Sequence, residues 1–413
     1  MKTNKKKSMF RSTVAAVSTL ALLMLSMASC GSSDNGADSS QASSKVSSTA
    51  EVSSDLPASS EVSSVAKLPT SAAEADYTAK TLSAVENVDN IKMMGRYLKG
   101  NSSLSFDATG SGILFNAYCE GDVSLNLTVS TSGNEDERFH SYYFTVYVDG
   151  KITQDRAKVT GERGKTVDVE LSVATGLKKG LHKFEIYRQN ENWLGNINFN
   201  SIKMNGQLAA RPADNKVFIE FVGDSITAGY GNLYKAGDDA GSAMASQEYE
   251  NGMKTYASLA AKALGVDWNI IAQGGARCSD TAAVYTKVSR NRDVEWNFER
   301  QPDVIVINLG TNDFGDNNYG ASAMAEKKAN VEKLLKLVRE KNPNAKIVWA
   351  YGLMSLSGQK QIQEVLESLG GEKSGYYFCT LPSNRDGGGA HPSVAGHEAA
   401  SVVMADYLKK LIG

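Results

Sequence analysis

Ser225 is the first residue in this chain whose setting suggests chemistry. Val217-Phe218-Ile219-Glu220-Phe221-Val222 reads as a buried strand that runs into Gly223-Asp224-Ser225-Ile226-Thr227-Ala228-Gly229-Tyr230-Gly231. A strand followed by a glycine turn presents a side chain at a sheet edge, a place where a nucleophile can act. A serine hydroxyl is weak by itself. It needs a neighbouring base, and the tetrahedral oxyanion it forms from an ester carbonyl needs converging hydrogen-bond donors. Ser225 is therefore useful only if the fold brings a base and donors to it.

The elements after Ser225 are of the kind that do so. Thr255 to Leu264 reads as a helix, Trp268 to Ala272 and Val304 to Asn308 as strands, and Ala323 to Lys341 as a long helix with Ser322 as its N-cap. Ile347 to Tyr351 reads as another strand and Val394 to Leu411 as a closing helix. Alternating strands and helices predict an α/β/α domain over 213–413 with a mainly parallel sheet, whose site lies at the carboxyl ends of the strands.

Residues 77–212 follow a different pattern. Short runs such as Ser103 to Phe106, Gly112 to Phe115, Val123 to Val129, Tyr143 to Val148, Thr166 to Val173 and His182 to Arg188 have strand composition. In the third of these, Val123, Leu125, Leu127 and Val129 alternate with polar residues, so they share one face. Short strands joined by polar turns predict an N-terminal β-sandwich of the jelly-roll kind ahead of the α/β domain. Tyr142, Tyr143 and Tyr147 read as core. Trp193, in the polar loop Asn190-Glu191-Asn192-Trp193, and Tyr230, after the serine turn, are candidates to line a sugar site.

Four blocks together resemble the GDSL/SGNH hydrolases. Gly223-Asp224-Ser225 is followed in order by Ala272-Gln273-Gly274-Gly275-Ala276, by Asn308-Leu309-Gly310-Thr311-Asn312-Asp313 and by Ala390-His391-Pro392-Ser393. The resemblance implies Ser225 as nucleophile and His391 as base. It implies the backbone N–H groups of Ser225 and Gly275 and the side-chain amide of Asn312 as oxyanion donors. The family's aspartate three residues before the histidine is replaced by Gly388. Asp386, five residues upstream, could serve as third member, or a backbone carbonyl could orient a Ser–His dyad. The sandwich ahead of the hydrolase domain narrows the resemblance to carbohydrate esterase family 2, over about 77–413. Members of that family remove acetyl groups from acetylated xylan and glucomannan. Two departures stand out: Gly274 occupies a position where serine is common, and Gly389-Ala390 replaces an Asp-Trp pair. The resemblance thus implies an acetylated polysaccharide or oligosaccharide as substrate. The rival readings are a non-catalytic carbohydrate-binding surface lipoprotein and an esterase acting on peptidoglycan or another acetylated glycan.

Composition sets the outer bounds. The chain has 413 residues, 41% hydrophobic and 22% charged, with 44 basic and 46 acidic residues for a net charge of −2. That balance gives no support to nucleic-acid binding. Lys2, Lys5, Lys6, Lys7 and Arg11 precede an uncharged apolar stretch from Ser12 to Ser29, so residues 1–29 read as an export signal. Leu25-Ser26-Met27-Ala28-Ser29-Cys30 resembles a bacterial lipobox, which predicts lipidation at Cys30 and a membrane-anchored extracellular or cell-surface enzyme. Removing residues 1–29 takes five basic residues and no acidic ones, leaving a net of −7. Residues 30–76 are Ser-rich and poor in large apolar groups, hence a disordered tether. His140 and His182 lie in the sandwich without an acidic cluster, and His397 reads as a surface or capping residue. No metal and no cofactor are expected, and the enzyme is read as a monomer. Cys119, Cys278 and Cys379 read as reduced buried thiols, with a Cys278–Cys379 pair the alternative.

Overall fold

The computed structural model describes residues 68–413 except 132, 134–136, 192–194, 239–246 and 316–318. The signal, the tether, Cys30 and Trp193 therefore lie outside the described residues.

Nine strands build the N-terminal sheet: β1 (Ala79–Ser83), β2 (Ile91–Met94), β3 (Leu98–Lys99), β4 (Leu104–Phe106), β5 (Gly112–Ser130), β6 (Ser141–Val148), β7 (Lys151–Thr160), β8 (Thr166–Arg188) and β9 (Ile197–Leu208). Their order is β3-β4-β9-β5-β8-β6-β7, with β1 added to β9 and β2 to β5, and every pairing is antiparallel. The expected short strands are in fact merged. Gly112 to Phe115 and Val123 to Val129 belong to one 19-residue strand, and Thr166 to Val173 and His182 to Arg188 to one of 23 residues. Bulges around Gly121 allow this, because an extra residue bends the strand without ending its pairing. Val123, Leu125, Leu127 and Val129 all face the core, as the alternation requires, and Tyr142 and Tyr143 are buried with them.

The second sheet is wholly parallel. It comprises β10 (Phe218–Gly223), β11 (Asp267–Ala272), β14 (Val304–Asn308), β15 (Lys346–Gly352) and β16 (Tyr376–Leu381) in the order β11-β10-β14-β15-β16, and a small hairpin, β12 (Lys287–Ser289) with β13 (Arg292–Glu295), stands apart. Among the described residues seven α-helical segments accompany it: α1 (Ser225–Ala228), α2 (Tyr256–Leu264), α3 (Cys278–Val284), α4 (Thr311–Phe314), α5 (Ala321–Lys341), α6 (Gln359–Ser368) and α7 (Val394–Ile412). Thr255 caps α2 by accepting from the Ser258 N–H, and Ser393 caps α7 through the Gly396 N–H. The expected cap of α5 is displaced: Gly320 takes that place and Ser322 lies inside the helix. β10 sits between β11 and β14, so Ser225, Gly275 and Asn312 all follow adjacent strands at the same sheet edge.

The two sheets share an interface. Met94, Leu114 and Tyr187 of the N-terminal sheet pack with Ile219, Trp268 and Ile270, and the rings of Tyr187 and Trp268 stack at 5.1 Å. Two ion pairs are buried in it, Lys92 to Asp267 at 2.7 Å and Arg96 to Glu220 at 3.2 Å. Arg96 also donates to the carbonyls of Tyr285 and Lys287, while Glu220 accepts from Tyr285 and Asn269. Breaking such a pair from one side leaves an uncompensated buried charge, which costs about 3–5 kcal/mol. Arg96→Ala is therefore expected to lower the unfolding free energy by that amount in denaturant titration, and a loss under about 1 kcal/mol would show that the pair is dispensable.

Candidate active site

Ser225 is the first residue of α1, and Asp224 precedes it as N-cap, accepting the Ile226 N–H at 2.9 Å. The serine is only 8% exposed, and its Oγ lies 2.8 Å from Nε2 of His391. His391 follows the short turn Gly388–Ala390, just before α7. Its Nδ1 faces the carbonyls of Gly388 and Gly389, each at 3.2 Å. Carbonyl oxygens only accept, so Nδ1 must carry the proton and Nε2 is left to accept from the serine hydroxyl.

Asp386 is not the third member of this arrangement. Its carboxylate accepts from Asn384 Nδ2 at 2.7 Å, and its N–H donates to Asn384 Oδ1. Lying near His391 in sequence did not place Asp386 at the ring, because the chain between them closes into a compact turn. The Gly387 N–H donates to the His391 carbonyl at 2.8 Å and the Gly388 N–H to the Gly231 carbonyl at 2.8 Å. A Cβ on Gly387 would meet three carbonyl oxygens within 2.9 Å, so these glycines are packed against their neighbours.

Gly275 sits third in the turn Gln273–Ala276, closed by the Ala276 N–H on the Gln273 carbonyl at 3.1 Å. Its φ is +74°, while a Cβ there would meet nothing within 4 Å. That backbone conformation favours glycine at the third position of the turn. Asn312, on α4, donates through Nδ2 to the Ala276 carbonyl at 3.0 Å and to Asp224 Oδ2 at 3.3 Å. It therefore ties the serine and glycine loops together. Asp313 holds the start of α3 by accepting the Cys278 N–H.

The electrostatics separate the titratable groups. Burial pushes the Asp224 carboxyl up to about 7, with Asp313 and Glu191 adding to the rise. Burial lowers His391, and the carbonyls of Gly389 and Gly388 offset it only in part. The Tyr230 ring packs against His391 with centroids 4.9 Å apart. His397 is not a surface residue: it is fully buried in α7, accepts the Tyr256 N–H at Nδ1, and is held down to about 3 by burial. Among the described residues no cluster of His, Cys, Asp and Glu is placed to hold a metal ion, and Cys119, Cys278 and Cys379 are free and buried.

Three residues at the site were not singled out from sequence. Glu191, Glu250 and Arg188 are all buried beside the serine and glycine loops. Glu191 stood in the same polar loop as Trp193, and its acidity among amides was the available signal.

Residues 221–399 match the GDSL-like Lipase/Acylhydrolase family. The chain carries a GDSL-like acylhydrolase domain. A cellulase/esterase of Acetivibrio thermocellus is 28% identical over 334 residues, covering 74% of this chain and 37% of that protein. The chain thus spans little more than a third of that relative. An acetylxylan esterase/glucomannan deacetylase of Cellvibrio japonicus is 25% identical over 253 residues, covering 56% of this chain and 68% of that protein. A solved family two carbohydrate esterase from Clostridium thermocellum, in complex with cellohexaose, superposes with a TM-score of 0.67 at 25% identity. That superposition covers 78% of this chain and 99% of the other. The N-terminal antiparallel sheet and the acylhydrolase domain are therefore shared as a pair with that structure.

Two outcomes follow from the acylhydrolase site. With Nδ1 holding the ring proton, Nε2 faces the serine as an acceptor, and burial lowers the His391 pKa from its ordinary 6.5. The acid limb of kcat/KM assigned to it is expected below pH 6.5, rising as the ring loses its proton. A limb near 7 that moves in Asp224→Asn would belong to Asp224 instead. Asp386→Ala is expected to leave kcat within about twofold, as for a surface change, and a loss as deep as that of His391→Ala would restore it to the catalytic set.

Proposed function

We propose that the chain is a serine esterase that removes O-acetyl groups from plant cell-wall polysaccharide, acetylated xylan or glucomannan, through an acyl-enzyme. The observation that carries this reading is the 2.8 Å contact of Ser225 with His391 at the carboxyl edge of the parallel sheet, beside the Gly275 and Asn312 loops. The activities named for the two curated relatives support the substrate class.

In this reading Ser225 Oγ attacks the acetyl carbonyl while its proton passes to His391 Nε2. The oxyanion is met by the backbone N–H groups of Ser225 and Gly275 and by the amide of Asn312. The Asn312 proton now shared with Asp224 over the longer contact, 3.3 Å, is the one the oxyanion would claim. His391 then returns its proton to the departing sugar hydroxyl. Water, activated by the same imidazole, attacks the acetyl-Ser225 carbonyl and releases acetate. Two backbone carbonyls orient the imidazolium in place of a carboxylate, so the reaction runs on a Ser–His dyad. The N-terminal sheet is read as a jelly roll, with Trp193 and Tyr230 beside the sugar. The enzyme acts as a monomer held at the cell surface by lipid on Cys30.

Acetate release from acetylated xylan and from 4-nitrophenyl acetate tests the reading, with Ser225→Ala as control. The expected result is release from both, reduced at least about 10³-fold in the variant. Serine-dependent release from the small ester alone would move the substrate to peptidoglycan or another acetylated glycan. No serine-dependent release from either would leave a carbohydrate-binding surface protein.

A further inference from the structure

Between β8 and β9 the N-terminal sheet sends a loop into the acylhydrolase domain. Residues 188–191 are all fully buried. Arg188 braces the loop from inside, donating to the carbonyls of Asn190 at 2.8 Å, Glu191 at 2.5 Å and Gly195 at 3.2 Å. The Gln189 carbonyl accepts the Gly252 N–H at 2.7 Å, and Asn190 Nδ2 donates to the Ser141 carbonyl at 2.9 Å. Residues 188–191 are thus held from several sides, and Glu191 accepts the backbone N–H of Gly274.

Gly274 is the residue before Gly275. The two are the central residues of the Gln273–Ala276 turn, and only Gly275 has positive φ. That combination is a type II turn, which differs from type I by a flip of the central peptide. Here that peptide carries the Gly275 N–H. A Cβ on Gly274 would lie 3.0 Å from Glu191 Oε1, which accounts for glycine standing where serine is common in the family. Glu250 packs behind. Burial and the neighbouring Glu191 hold its carboxyl well above the ordinary range.

We propose that Glu191, delivered by the N-terminal sheet, is a positioning residue for the oxyanion turn: it holds the Gly274 amide and so anchors the turn that presents the Gly275 N–H. This rests on the esterase reading of the Ser225 site. Glu191 does not touch the substrate in this role, so its removal should act on the transition state and spare binding.

The test is kcat and KM on 4-nitrophenyl acetate for the full chain and for Glu191→Ala, Glu191→Met and Glu191→Gln, with thermal midpoints and with Ser225→Ala as control. Alanine and methionine should lower kcat about 10²-fold, the scale of one lost oxyanion donor, with KM within about twofold. Glutamine, whose amide oxygen can accept the same N–H, should recover most of the loss. Wild-type kcat in a folded Glu191→Met protein would overturn the proposal, as would glutamine behaving no better than methionine. Should the Glu191 variants fail to fold, Gly274→Ala leaves both carboxyls in place while crowding Glu191, and it too should lower kcat at constant KM. Wild-type kcat in that variant would overturn the proposal. Absence of Ser225-dependent hydrolysis in the wild type would instead overturn the esterase reading, and the positioning role with it.

Discussion

A hydroxyl and an imidazole whose residues lie 166 positions apart in the chain meet here at 2.8 Å, and most of the architecture can be understood as what keeps them there. A hydrogen bond of that kind tolerates displacements of a few tenths of an ångström. Neither partner sits on a long element: Ser225 opens a four-residue helix and His391 follows a short glycine turn. Accuracy comes from what lies behind them. β10 is flanked on both sides by parallel strands, and α7 closes on α2, with His397 taking the Tyr256 N–H between them. The buried histidine that does no chemistry thus helps fix the position of the one in contact with Ser225.

The imidazole is held by weaker partners than a carboxylate would be. Two carbonyls at 3.2 Å fix the tautomer but carry only partial charge, so they favour the protonated ring less. Burial works against that protonated state as well. The site thereby favours proton acceptance less than a triad would, while leaving the base neutral over a wider acidic range. Asp224, beside the serine, is a buried carboxyl that burial and the neighbouring Asp313 and Glu191 push up to about 7.

What could be read from sequence was whatever is local. The serine, glycine and asparagine blocks each follow a run of apolar residues, and strand-then-loop is a pattern within ten residues. Val304–Asn308 was read with the bounds it has, because the four β-branched residues Val304, Ile305, Val306 and Ile307 stand between polar Asp303 and Asn308 and leave little choice. β16 and α6 were missed. α6 buries only Ile362, Val365 and Leu366 among polar residues, and β16 is identified by its partner β15 more than by its own composition. The length of β5 and β8 was hidden by glycines that look like ends and act as bends. At the site, the roles of Asp386 and Glu191 depended on which side chains the turns bring together. Asp386 is near His391 in sequence and bonded to Asn384, while Glu191 is 83 residues from Gly274 and bonded to it.

The shared interface has a consequence for how such a protein can change over generations. Trp268, Ile219 and Ile270 cover their apolar surface with residues of the N-terminal sheet, and Asp267 and Glu220 each have a buried cationic partner on that side, Lys92 and Arg96, besides Arg300 for Asp267 within its own domain. A gene fragment encoding the parallel sheet alone would lose these two partners and carry an uncovered aromatic face into any new setting. The N-terminal sheet is thus not an accessory that recombination can exchange at the connecting segment. The two halves are heritable only together, and substitutions on one side of the Tyr187–Trp268 stack are constrained by the residue on the other.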